Sequence, residues 1–168
     1  MKFTEAQLED VIIRLLGEQG YPHVIGNDIN RGSRGLEEVL IKDDLRAFLA
    51  AQYAHESITA SEIEAVIREL EALSALDLYD SNKQVMKRLA DGFQFKREPV
   101  AGQNPKDLYI YLIDYNDADN NQYKMVNQLT IQGHENKRIP DAILYINGLP
   151  LVVFVTQIPT VKATKTLT

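Results

Sequence analysis

The sequence predicts an α+β fold, an α/β/α-like domain with a mixed β-sheet flanked by helices. Three observations lead there. The first half repeats its apolar residues at helical spacing behind recognisable caps, whereas the second half alternates apolar and polar residues as strands do. Near the end, two runs rich in Val, Ile, Leu, Tyr and Phe flank Asn147-Gly148, the strongest short-range hairpin signal. With 168 residues and 45% hydrophobic content, the chain suffices for one domain with a core, or one domain plus a helical insertion.

The elements follow in chain order. Thr4 and Gln7 have the spacing of a capping box, and Leu8, Ile12, Leu15 and Leu16 then form an apolar stripe. Gly20 ends this first helix ahead of Tyr21-Pro22. Residues 22–35 contain Gly26, Gly32 and Gly35 and little periodicity, so they read as a loop with a short strand at 23–25. A second helix is expected over 36–52. A third begins at Thr59, which forms a capping box with Glu62, and runs to about 73. A fourth spans about 81–90 and stops at Gly92. Strands are expected at 107–114 and 122–132, separated by a turn cluster at 116–121, followed by the hairpin of 139–146 and 150–155. The three helices between 36 and 92 read as an insertion. Residues 156–168 are rich in threonine and lack acidic residues; they read as a frayed or altered tail behind a 1–155 domain.

Composition excludes some functions. No window approaches 18 uninterrupted apolar residues, and the first ten residues lack the apolar core of a secretory signal. No cysteine is present, so disulfides and thiolate metal sites are excluded, and a cytoplasmic location is the simplest expectation. The net charge of −6 is unlike a free-standing DNA binder, so any affinity for DNA is expected to come mostly from outside this chain.

The chemistry centres on the hairpin. Pro140-Asp141 opens its first strand, the layout in which a metal-dependent nuclease carries one carboxylate. Cleaving a phosphodiester at neutral pH calls for a metal to activate water and neutralise phosphate charge, and Mg²⁺ takes oxygen ligands. In such a core the second strand carries a carboxylate and, two residues on, a lysine. A plain two-residue turn sets residue 154 opposite Asp141, whereas a bulge at Gly148 shifts the register and brings 153 and 155 onto its face. The sequence leaves both open.

Asp near Pro is also a common strand-start residue, and Glu5 and Glu9 in a first helical turn suit the helix dipole without any metal. His23, His55 and His134 lack metal-ligand spacing and read as ordinary loop or surface residues. Tyr109 and Tyr111 read as packing residues rather than a base-stacking platform. Lys137-Arg138 reads equally as solvated loop charge or as a phosphate contact, and Glu62–Glu71 as a solvated acidic face.

Four segments carry a resemblance: TEAQLEDVIIRLLGEQGY, DLRAFLAAQY, LIDYNDADNNQYKMVNQLTIQG and above all KRIPDAILYINGLPLVV. Together they resemble the N-terminal region of the R subunit of type I restriction enzymes, a restriction-endonuclease-like domain of the PD-(D/E)xK class. The resemblance implies that Asp141 holds the position of a metal-binding aspartate and that Glu9 matches an acidic residue that helps to ligate the metal. Arg138 matches a basic residue ahead of Pro-Asp, placed with Lys137 near DNA phosphate. It also implies that Val155 stands where the family has its catalytic Glu, and Gln157 where it has its Lys. Lys162 and Lys165 are further lysines in the tail, but nothing in their spacing favours them as replacements.

The implied function is Mg²⁺-dependent DNA hydrolysis in the intact parent protein, a type I site-specific deoxyribonuclease. The partners implied are DNA, the rest of the R subunit, and the modification and specificity subunits. ATP would serve only motor domains, and no GxxxxGK[ST] loop occurs in this chain. With Val155-Thr156-Gln157 in place of Glu-x-Lys, this polypeptide is expected not to cut DNA. The alternative is a non-catalytic docking or assembly module of a degenerate R subunit.

Overall fold

A computed structural model describes residues 4–73, 77–99, 105–133 and 136–155, which form an α+β fold with a mixed sheet. The helices are α1 (Glu5–Glu18), α2 (Lys42–Gln52), α3 (Ala60–Glu71) and α4 (Leu78–Asp91). The strands are β1 (His23–Ile25), β2 (Phe93–Phe95), β3 (Leu108–Ile110), β4 (Tyr123–Asn127), β5 (Ile131–Gln132), β6 (Lys137–Arg138), β7 (Ala142–Ile146) and β8 (Leu149–Phe154). The principal sheet has the order β1-β4-β7-β8, with β1 parallel to β4 and the other pairs antiparallel. β2 with β3, and β5 with β6, form two-stranded antiparallel ribbons.

Both anticipated capping boxes close. The Gln7 N–H donates to Thr4 Oγ1 at 3.3 Å and the Thr4 N–H to Gln7 Oε1 at 2.9 Å, satisfying two donors that a bare helix start leaves orphaned. Thr59 and Glu62 do the same for α3. In the stripe of α1, Leu15 is half exposed while Leu8, Ile12 and Leu16 are partly covered.

The larger core is built by the faces of α2, α3 and α4 that carry Leu45, Leu49, Val66, Ile67 and Leu89. They meet Leu108, Ile110 and Leu112 and, from β8, Leu149. A second cluster lies on one face of the principal sheet, where Val126, Ile143 and Tyr145 pack with Ile41 and Leu129. Alternation along β4 turns Asn127 to the opposite face, towards α1.

Four elements depart from the sequence reading, each for a local reason. α2 starts at Lys42 rather than near 36, because the hairpin claims the segment before it: the Ile41 N–H donates to the Gly148 carbonyl at 2.9 Å and the Tyr145 hydroxyl to the Val39 carbonyl at 2.9 Å. α4 starts earlier than expected, at Leu78, because Asp77 caps it by accepting from the Asp80 N–H at 3.1 Å. β3 ends at Ile110 because side chains take the next backbone groups; the Tyr111 N–H donates to the Tyr53 hydroxyl at 2.6 Å. The expected 122–132 strand breaks at Gln128, whose φ of 52° turns the chain out of the sheet and into the β5–β6 ribbon. Gly26 lets that backbone pass, since a Cβ there would lie 2.5 Å from Leu129 Cα. β2 and β6 have no counterpart in the sequence reading.

The hairpin turn is buried. Asn147 and Gly148 have φ of 52° and 77°, the type I′ pattern whose twist suits paired strands. The Asn147 side chain is fully enclosed. Its Oδ1 accepts from the Gln122 N–H at 2.8 Å, and its Nδ2 donates to the Leu112 carbonyl at 3.0 Å and to Asn121 Oδ1 at 2.8 Å. At Gly148 any Cβ would strike the Ile41 carbonyl. Replacing Asn147 by Ala removes the side-chain partner of the buried Leu112 carbonyl and of the Gln122 N–H, and is expected to lower unfolding free energy by about 2 kcal/mol in denaturant titration.

Arg97 joins β2 to the third helix. It makes a two-pronged bond to Glu62 at 2.7 and 3.1 Å and donates to the carbonyls of Glu56 and Ser57. The Arg97 guanidinium holds the Glu62 carboxyl below its ordinary range. A depressed folded-state pKa gives stability that is present above the unfolded value and lost as pH falls through the folded one. Glu62→Gln is therefore expected to destabilise at neutral pH, and its deficit against the natural chain should shrink below about pH 4.3 in unfolding titrations.

Candidate functional site

The site predicted from sequence lies at the end of the principal sheet where β7 begins, and the hairpin register decides what faces Asp141. Ile146 pairs with Leu149 and Tyr145 with Pro150, as a plain two-residue turn requires. Beyond them the register slips: Leu144 pairs with Val152, Ile143 with Val153 and Ala142 with Phe154, leaving Leu151 as the extra residue of a β-bulge. The shift anticipated at Gly148 thus occurs within β8. One step further along the same register sets Val155 across from Asp141.

Val155 is 66% exposed and offers no oxygen donor. Gln157, the place of the expected lysine, lies outside the described residues, as do His134, Lys162, Lys165 and the whole 156–168 tail.

Asp141 is half-buried and sits in a bend just ahead of β7. Its neighbour Ala142 pairs with Asn127 of β4, and Asn127 in turn pairs with Ile25 of β1. The amide of Asn127 joins two further groups at this end of the sheet: its Nδ2 donates to Glu9 Oε1 at 2.8 Å, and its Oδ1 lies 2.9 Å from His23 Nε2. Glu9 from α1 is therefore delivered to the end of the sheet that carries Asp141. The side chain of Glu5, its alternative, lies outside the described ones.

Two carboxylates reach this end of the sheet, and the third position holds valine. Among the described residues no group of three or more His, Cys, Asp or Glu side chains is placed to hold a metal ion. Of these three positions only Asp141 and Glu9 carry oxygens that a divalent cation could take as ligands, and valine at 155 carries none.

The basic pair falls on β6, where Lys137 pairs with Gln132 and Arg138 with Ile131. Both are exposed, and Ile139, 62% exposed, follows them towards Asp141. Tyr109 and Tyr111, expected to pack, contact each other at 5.2 Å between ring centroids but remain about half exposed, because the β2–β3 ribbon is covered on one face only.

Sequence reasoning missed Asn127 and His23. The available signal was an asparagine, a residue that strands disfavour, closing the run Tyr123–Asn127.

A family model described as the type I restriction enzyme R protein N terminus matches residues 2–154 of the chain. In an alignment 162 positions long that covers 93% of the chain, it is 30% identical to the type I restriction enzyme HindI endonuclease subunit of Haemophilus influenzae. The chain spans about 15% of the length of that relative. Among the described residues, no helix is long and apolar enough to cross a membrane.

Proposed function

The chain belongs to the family of type I restriction enzyme R protein N termini, and from that membership we propose that it is the endonuclease domain of an R subunit whose own catalytic centre is incomplete. In the intact parent the domain would hydrolyse DNA phosphodiesters with Mg²⁺ in the cytoplasm. Its partners there would be the remainder of the R subunit with its ATP-driven motor, and the modification and specificity subunits. The chain alone would not cut. The observation that supports this reading is the bulged register, which pairs Ala142 with Phe154 and, continued by one residue, would set Val155 across from Asp141.

The physical argument is short. Hydrolysis needs an activated water and compensation for charge that builds on the phosphate. Asp141 and Glu9 supply oxygen ligands, but a valine at 155 supplies none, and glutamine at 157 carries no charge to set beside the phosphate. The scaffold is thus compatible with the chemistry while its second strand is not. Lys137 and Arg138 would contact backbone phosphates beside the site. The acidic balance of the chain assigns most DNA affinity to other parts of the assembly.

A docking or assembly role is the second reading. β8 is an edge strand, and Val152 and Val153 are about half exposed on it. Exposed apolar edges are commonly covered by another element.

In calorimetry the natural chain is expected to take up no Mg²⁺, whereas the folded Val155→Glu, Gln157→Lys double variant takes it up in an Asp141-dependent manner. A folded double variant without Mg²⁺ uptake would sink the catalytic geometry and favour the docking role. Lys137→Ala and Arg138→Ala should each weaken duplex DNA binding with little dependence on sequence. Each should reduce the salt slope of log K by about 1 in fluorescence anisotropy; unchanged slopes would remove β6 from the DNA path.

A further inference from the structure

We propose that Asn127 is a positioning residue of this site. Its amide fixes the Glu9 carboxylate at the Asp141 end of the sheet and holds the His23 ring through a proton on Nε2. The functional importance of this role rests on the reading above, in which the Asp141 end is the working end of the domain; the geometry itself does not.

The argument begins with burial. Asn127 is 6% exposed, so neither half of its amide can be left without a partner at small cost. Its two halves are not interchangeable. A carboxylate only accepts hydrogen bonds, so the group 2.8 Å from Glu9 must be the NH₂. The carbonyl oxygen then faces His23 Nε2 at 2.9 Å, and an oxygen that only accepts requires a proton on that nitrogen. In neutral His23 this leaves Nδ1 as the ring's acceptor.

One amide thereby sets the orientation of two chemically active groups that arrive from α1 and β1, consecutive elements that both lie more than a hundred residues before Asn127. The backbone around Asn127 makes it a firm anchor, because its strand is held on one side by Ile25 and on the other by Ala142, next to Asp141. A carboxylate on a helix start would otherwise swing through several rotamers. Held by Asn127, it presents its second oxygen, Oε2, in a defined direction. The ligand class this suits is one that offers a hydrogen-bond donor or a cation to the carboxylate and a donor to the imidazole Nδ1.

The first test uses the natural chain. Long-range ¹⁵N–¹H NMR at about pH 8 should show His23 as the Nε2–H tautomer, while His55 serves as an internal comparison. In Asn127→Leu the His23 pattern should become a tautomer mixture and that of His55 should not change. The second test reverses donor and acceptor. Asn127→Asp sets a second carboxylate against Glu9 and should lower the folding equilibrium constant about tenfold or more. Adding Glu9→Gln supplies the missing donor and should restore most of that loss.

An Nδ1–H or mixed His23 in the natural chain would overturn the assignment, and so would simple addition of the two substitutions in the swap. Both readouts are independent of metal uptake by the Val155→Glu, Gln157→Lys variant. Failure of that variant therefore counts against the catalytic reading alone.

Discussion

Asn147 is fully buried and has a left-handed backbone, and both features follow from the way the hairpin turn is used. Hairpin turns ordinarily point into water. Here the turn is driven into the molecule, where Gly148 lies against the Ile41 carbonyl at the start of α2 and Asn147 takes the place of a strand partner for Gln122. A buried turn leaves polar backbone groups that water cannot reach, and the Asn147 amide answers those of Gln122 and Leu112 directly. Much of the remaining architecture depends on this arrangement. It keeps the 38–41 segment extended and sets where α2 begins. It also ties the loop after β3 to the principal sheet through Asn121, which bridges Asn147 and Asp114.

With the turn fixed, the bulge at Leu151 becomes the second constraint. A hairpin of this turn type alone would set Phe154 opposite Asp141. The extra residue advances the strand by one, so that Phe154 pairs with Ala142 and the next step along the register falls on Val155. One inserted residue therefore decides which side chain the register carries towards the Pro140-Asp141 pair, and here that side chain is apolar. On the far side of Asp141 the sheet is well furnished: Asn127 brings in Glu9 and His23. The carboxylates at this end of the sheet come from α1 and from just ahead of β7, whereas β8 and Val155 bring none.

Much of the fold was legible because its signals are local. Capping boxes at Thr4 and Thr59 depend on residues three apart, and both closed as read. The Asn147-Gly148 turn was equally plain. What escaped were features set by distant partners. The Ile41 N–H is claimed by Gly148, more than a hundred residues away, so no local pattern could place the start of α2. β2 and β6 are too short to show alternation. The bulge was foreseen as a possibility but at the wrong residue, because both placements satisfy the same pattern of side chains. At the site, the resemblance singles out Asp141 and Glu9 as candidates, whereas Asn127 escapes it, since its contacts exist only once α1, β1 and β4 are assembled.

The central claim, that position 155 faces Asp141, is tested most directly by the hairpin register in solution. Cross-strand NOEs in the labelled natural chain should pair Ala142 with Phe154 and Leu144 with Val152, leaving Leu151 without an opposite residue. An unbroken register that pairs Ala142 with Val153 and Ile143 with Val152 would contradict the account, because it would turn Val155 away from Asp141.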